Sequence, residues 1–308
     1  MRKTALNEVF ELAKKHKKVF FIGSDLGAGT LNDFREQIPE RFLLEGIYEQ
    51  NIIGMAAGLA LEGKVVYINS IATFLTRRCF DQNILDLGLH NVNVRIIANG
   101  GGLVYAPLGP THEAIEDIAI MKTIPNMTVI APADAQEMKK LIPLTLEYKG
   151  PIYIRMGKGY DPIVTDKETP FVIGKAYPMR KGSDALILTT GITLRLALEA
   201  ADELAKYGIK TSVIHVPTIK PLDKKTILKH AEKIHIIVTV EEHIKIGGFG
   251  SAISELLCEA NFAKPKKFKM IGIPDEFPEN YGSQDLLMEH YGISTKGLVK
   301  AVKDLKGK

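Results

Sequence analysis

Short, unbroken apolar runs alternate with segments of helical period through the first half of this 308-residue chain, and that alternation leaves few folds open. Val19-Phe20-Phe21-Ile22-Gly23 is the first run, and residues 64–68, 94–98, 127–130 and 151–155 follow in the same style. A strand that is apolar at successive positions is buried on both faces, which is the condition of a parallel sheet. Helical patterns lie between these runs, over 4–15, 47–61, 73–89, 112–122 and 134–148. The first places Leu6, Val9, Phe10, Leu12 and Ala13 near one face and closes at Lys14-Lys15-His16-Lys17-Lys18. Basic residues complement the dipole at a helix end, so this cluster reads as a solvated terminus rather than a nucleic-acid patch. Strand and helix in alternation predict a parallel sheet covered on both sides.

Residues 158–177 break the pattern with Gly159, Pro162, Pro170 and Gly174 among charges, and read as a linker. A second alternating unit follows: a strand from Ala185, a helix over 193–207, a strand over 211–216, a helix over 223–232, a strand over 235–240 and a helix over 250–260. The predicted fold class is therefore α/β, with two consecutive three-layer α/β domains over 1–165 and 175–308, each long enough to bury a core. Formal net charge is only +4, from 40 basic and 36 acidic residues, with no long basic run. Cys79 and Cys258 form no CxxC, so neither a zinc site nor a disulfide framework is expected. No apolar run reaches about 18 residues and no signal peptide is seen. The expectation is a cytoplasmic protein with no bound metal of its own, no nucleic acid and no membrane partner.

Two stretches concentrate chemistry. Residues 44–59 place Glu49 and Gln50 before a helix rich in small residues, Gly54, Ala56, Ala57 and Gly58, which predicts a buried helix. Glu49 reads either as an N-terminal cap or as a buried carboxylate that polarises a bound ring nitrogen. Residues 99–113 follow a strand with Gly100-Gly101-Gly102 and carry Gly109-Pro110-Thr111-His112. Such strand-to-helix edges bind ligands in α/β sheets, and a histidine at a helix start is favoured in its neutral form. Phe74 follows the strand over 64–68 and is either core or a stacking platform.

In order and spacing these stretches, with Val240-Glu241-Glu242-His243 and Gly247-Gly248-Phe249-Gly250-Ser251, resemble the C-terminal half of transketolase, a thiamine-diphosphate enzyme. The resemblance implies a pyrimidine-binding domain followed by the transketolase C-terminal domain. It implies that Glu49, kept protonated by burial, bonds the aminopyrimidine ring, that Phe74 lies against that ring, and that His112 faces the reacting centre. Arg155 and Arg2 match substrate-contacting arginines. Arg77 stands where transketolase usually has a second aromatic residue, so Thr73-Phe74-Leu75-Thr76-Arg77 looks more like 1-deoxyxylulose-phosphate synthase. A substrate histidine falls on Gly100, and a donor-contacting aspartate is replaced by Leu108.

No Gly-Asp-Gly with a downstream Asn is present, so the resemblance places the diphosphate site and its Mg2+ on an N-terminal partner subunit. The expected assembly is a two-plus-two heterotetramer that transfers a two-carbon ketol unit between sugars or sugar phosphates. The alternatives are a subunit like 1-deoxyxylulose-phosphate synthase or 2-oxo acid dehydrogenase beta, or a non-catalytic regulatory subunit. Glu241 and Glu242 read as a solvated turn at a strand end, and the second domain is expected to bind no cofactor of its own.

Overall fold

Each apolar run of the first half forms a strand in the computed structural model, which describes residues 1–23, 31–157 and 161–307. In chain order the elements are α1 (Arg2–Lys15), β1 (Val19–Gly23), α2 (Asn32–Gln37), β2 (Phe42–Leu44), α3 (Glu49–Leu61), β3 (Val65–Ile71) and α4 (Ala72–Thr76). The single turn α5 (Phe80–Gln82), a π-helical segment over Asn83–Leu89, β4 (Val94–Asn99), α6 (Asp117–Thr123), β5 (Thr128–Ile130), α7 (Ala135–Thr145) and β6 (Ile152–Arg155) follow.

Internal contacts divide the chain into two units. One comprises Met1–Gly101 and Ile120–Val172, the other Gly102–Ala119 and Ile173–Lys308. The change at Val172 falls inside the segment read as a linker, of which residues 158–160 lie outside the described residues. The assignment of Gly102–Ala119 to the second unit differs from a simple division at that linker.

Six strands of the first unit pair in the order β5-β6-β4-β3-β1-β2, all parallel. β3 and β4 are buried at every position, as strands covered on both faces must be. β2 was not expected, because Phe42-Leu43-Leu44 is too short to show a period; it is held by pairing with β1 and by stacking of Phe42 on Phe21 at 5.3 Å. Phe34 joins both rings and Phe10 of α1.

α3 departs from the expected full burial. Ile52, Ile53, Ala56, Ala57 and Ala60 are buried, but Asn51, Gly54, Gly58 and Leu61 form an exposed stripe. The helix expected over 73–89 is broken near Cys79. The cause is local: the Cys79 thiol donates to Phe74 O at 3.2 Å and Asn83 Nδ2 donates to Leu75 O at 2.8 Å, so side chains take the carbonyls that would continue α4.

Two buried polar groups tie this unit together. Arg95 on β4 has no exposed surface and donates to the carbonyls of Thr145, Gly150 and Tyr148, closing the C-terminal end of α7. Burial lowers its pKa to about 10 and raises that of neighbouring Tyr67 to about 12. Asp134 caps α7 through Gln136 N and Glu137 N, and its other oxygen accepts Val164 N and Thr165 N at 2.8 Å.

The second unit contains β7 (Tyr177–Arg180), β8 (Ala185–Thr189), α8 (Thr193–Ala205), β9 (Thr211–His215), β10 (Thr218–Lys220), α9 (Lys224–Lys233), β11 (Ile236–Ile244), α10 (Phe249–Glu259), β12 (Lys267–Ile273), α11 (Gln284–His290) and α12 (Thr295–Gly307). Its sheet runs β12-β11-β8-β9-β7, parallel except for β7. β12 escaped the sequence reading because Lys267 and Lys269 interrupt its apolar residues at a half-buried edge. α12 packs against α8 and β11 and buries Leu298, Ala301 and Val302. No helix among the described residues is long and apolar enough to cross a membrane.

Arg95→Met leaves three carbonyls, two of them buried, without their donor and should cost about 3 kcal/mol in urea unfolding. Asp134 responds to acid. Burial opposes its charge, but the hydrogen bonds from Glu137, Val164 and Thr165 outweigh burial and hold its pKa below the ordinary carboxylate value. Its contribution is therefore present above the unfolded-state value, about 3.9, and is lost as pH falls through the lower folded value. The stability gap between wild type and Asp134→Asn should persist at neutral pH and shrink below about pH 4, as measured by pH-dependent thermal unfolding.

Candidate active site

In the first unit the strand order reverses at β1, which lies between β2 and β3. Ligands of open α/β sheets bind outside the carboxyl ends of strands at such a point. Glu49 opens α3 just after β2, and Ser70 lies near the end of β3. The Glu49 side chain is 2% exposed. Ser70 Oγ donates to its Oε1 at 3.2 Å and Arg78 Nη1 donates to its Oε2 at 2.6 Å. Both donors are side chains, and the N-cap position of α3 belongs to Tyr48. The two carboxyl oxygens of Glu49 thus meet a hydroxyl on one side and a guanidinium on the other.

The same guanidinium lies 4.2 Å from the centroid of the Phe74 ring. Arg78 therefore brings Glu49 and Phe74 into one cluster, and it was missed in the sequence. A signal existed, since Arg78 follows Phe74 by four residues, a spacing that places side chains over one another along a helix. Cys79 flanks the pair. Its thiol is pushed up to about 12, first by burial and then by the negative charge of Glu49, against the opposing charge of Arg78.

The other arginines of this unit differ in setting. Arg155 ends β6 and is only 7% exposed, with its side chain over Gly101; a Cβ there would come within 2.5 Å of Arg155 Cγ. Arg77 is exposed, and Arg2 is half-buried in the first turn of α1. Gly100 is buried, whereas Leu108, in the second unit, is exposed.

His112 also belongs to the second unit. It lies in a turn ahead of α6, which begins at Asp117 rather than at 112, so the helix-dipole argument does not apply to it. Its Nδ1 is 2.9 Å from Thr111 Oγ1. The segment carrying it is fastened at both ends by β11. Glu242 Oε1 accepts Leu103 N at 2.8 Å, His243 Nε2 accepts Ala119 N at 3.2 Å, and Ile244 N donates to Ile115 O at 2.9 Å.

The reading of Glu241 and Glu242 as a solvated turn is therefore overturned. Both lie within β11 and are 0% and 2% exposed. Glu241 accepts Phe249 N and Gly250 N at 2.6 and 2.7 Å, capping α10 from the neighbouring strand. Buried carboxylates need such partners, and backbone N–H groups supply them. Among the described residues no group of three or more His, Cys, Asp or Glu is placed to hold a metal ion.

Residues 1–160 match the family model for the transketolase pyrimidine-binding domain, and residues 174–298 that for the transketolase C-terminal domain. An apulose-4-phosphate transketolase subunit of Phocaeicola vulgatus is 36% identical over 301 residues, covering 97% of this chain and 95% of that protein. The 6-deoxy-6-sulfo-D-fructose transketolase subunit SqwH of Clostridium sp. is 36% identical over 306 residues, covering 99% and 94%. A solved structure described as split gene transketolase, inactive beta4 tetramer, superposes with a TM-score of 0.90 at 34% identity, covering 99% of this chain and 97% of that one.

Gly102 sits at φ +70°, and a Cβ there would overlap the Glu242 carboxylate. Gly102→Ala should therefore combine backbone strain with displacement of a buried carboxylate and cost about 2–3 kcal/mol. Thermal unfolding checks this, with Gly109→Ala, whose Cβ meets the exposed Tyr281 ring, as the milder control.

Proposed function

The chain belongs to the transketolase family as a C-terminal subunit of the split type, and on that premise we propose that it works with an N-terminal subunit to move a two-carbon ketol unit from a ketose to an aldose using thiamine diphosphate. The observation that carries this reading is the Glu49–Phe74 pair. A buried carboxylate there already meets a planar nitrogen donor that lies over an aromatic ring. An aminopyrimidine is likewise flat, with a face that can stack and a nitrogen-bearing edge that can bond the Glu49 carboxyl, so the residues fit the pyrimidine half of the cofactor.

When bound, the cofactor supplies an electron sink for the two-carbon fragment. Glu49 holds the ring edge and Phe74 fixes its plane. His112 accepts the hydroxyl proton as the ketose C–C bond breaks, and returns a proton to the new hydroxyl as the bond to the aldose carbonyl forms. Arg155, Arg77 and Arg2 hold an anionic group of the substrate. Both relatives described above carry names of anionic sugars, a phosphate in one and a sulfonate in the other, which supports an anionic ketose as donor.

The diphosphate and its Mg2+ fall to the partner subunit, because this chain has no Gly-Asp-Gly with a downstream Asn. A related beta4 assembly described as inactive supports the need for that partner. Ile47, Tyr48, Leu61, Leu85 and Leu89 are exposed on the first unit, apolar surface of the kind that subunit association covers. We assign the pair to a two-plus-two heterotetramer of cytoplasmic carbohydrate metabolism. Arg77 after Thr73-Phe74-Leu75-Thr76 favours a second reading, a subunit like 1-deoxyxylulose-phosphate synthase.

Calorimetric titration of thiamine diphosphate with Mg2+ should show binding to the mixture of both subunits and none to this chain alone. Glu49→Gln should lower turnover of the mixture about 100-fold or more. Tight binding by the lone chain overturns the split-site reading. Cofactor binding by the mixture without ketose cleavage favours the synthase-like reading.

A further inference from the structure

We propose that Arg78 is a built-in stand-in for the aminopyrimidine: in the chain without cofactor its guanidinium fills the ring site, and the cofactor binds by displacing it. This rests on the assignment of Glu49 and Phe74 to the pyrimidine half of thiamine diphosphate.

The geometry is that of a ligand rather than of a surface ion pair. Arg78 Nη1 donates to Glu49 Oε2 at 2.6 Å while the centre of the same guanidinium lies 4.2 Å from the Phe74 centroid. A guanidinium and an aminopyrimidine share one chemical fragment, a flat N–C–N unit whose face stacks on an aromatic ring and whose edge carries N–H donors, in the aminopyrimidine beside ring nitrogens that accept. With Oε1 taken by Ser70, an aminopyrimidine bonded to Glu49 would compete with Arg78 for Oε2.

Burial explains why such a group is present. Glu49 is 2% exposed, and its other oxygen meets the neutral Ser70 hydroxyl. A buried carboxylate with no cationic or strong donor partner is costly, so a chain that folds before it meets cofactor has to satisfy Glu49 from within. Arg78 can do this and leave again. Its side chain is 39% exposed, on a long flexible stem, and it follows the end of α4 at Thr76.

Self-occupation lowers the apparent cofactor affinity by the fraction of chains whose site is open. A site filled by Arg78 about nine-tenths of the time weakens binding about tenfold, and removing the side chain restores that factor.

Thiamine diphosphate with Mg2+ is titrated calorimetrically into the full chain mixed with its N-terminal subunit, for wild type, Arg78→Ala and Arg78→Lys. Arg78→Ala should bind about tenfold tighter than wild type. Arg78→Lys should fall between them, since an ammonium keeps the ion pair and loses the plane. Thermal unfolding of the same mixtures gives a second readout. Arg78→Ala should melt lower than wild type without cofactor, and the gap should close at saturating cofactor, when wild type has also given up the Glu49–Arg78 pair.

Unchanged or weaker binding by Arg78→Ala, with wild-type binding intact, overturns the proposal and makes Arg78 a bystander or a cofactor contact. A melting gap that persists at saturation overturns it too. Loss of binding in every mixture, wild type included, removes the cofactor assignment itself and the proposal with it. If Arg78→Ala does not fold, a wild-type affinity in Arg78→Lys is the overturning result.

Discussion

A carboxylate closed off from water at the carboxyl edge of a parallel sheet has to be satisfied, and much of the first unit's local structure follows from how Glu49 is satisfied. Ser70 at the end of β3 takes one oxygen and Arg78, beyond α4, takes the other. The chain after Phe74 does not continue as the long helix its apolar period predicts. Cys79 and Asn83 take the carbonyls of Phe74 and Leu75, α4 ends at Thr76, and the segment resumes as α5 and a π-helical turn. Irregular helix at that point is where the site is made.

The second unit solves the same problem with backbone rather than with arginine. Glu241 caps α10, and Glu242 and His243 bind the two ends of the segment carrying His112. Three consecutive polar residues on β11 are thereby buried against backbone groups, while His243 approaches the Glu241 and Asp117 carboxylates at 3.8 and 4.0 Å, beyond hydrogen-bond range. They account for why Gly102–Ala119, though it follows β4 of the first unit directly in sequence, belongs by its contacts to the second. The presentation of His112 thus depends on β11, a strand far from it in sequence.

Legibility varied with the range of the interactions involved. The strands buried on both faces, β1, β3, β4, β5 and β6, could be read because their apolar runs are local and continuous. β2 and β12 could not, since each is defined by pairing to one distant neighbour, across few residues or past lysines. Glu49, Phe74 and His112 stood out through motif and spacing, while Arg78 did not, because what marks it is a contact to a residue 29 positions away. Glu241 and Glu242 were misread for the same reason: a charged pair at the end of an apolar run is usually solvated, and only the backbone groups of α10 and of Leu103 make burial tolerable.

By itself the sequence determined the α/β alternation, the parallel sheet of the first unit and the membership in the transketolase family, because hydrophobic period and motif spacing are properties of neighbouring residues. Only the tertiary structure decided what each buried charge faces: Arg95 the carbonyls after α7, Glu49 the guanidinium of Arg78, and Glu242 the amide of Leu103. The physical reason is that desolvating an ionised group is costly unless a partner lies within hydrogen-bond reach, and in this chain those partners come from segments that only folding brings together.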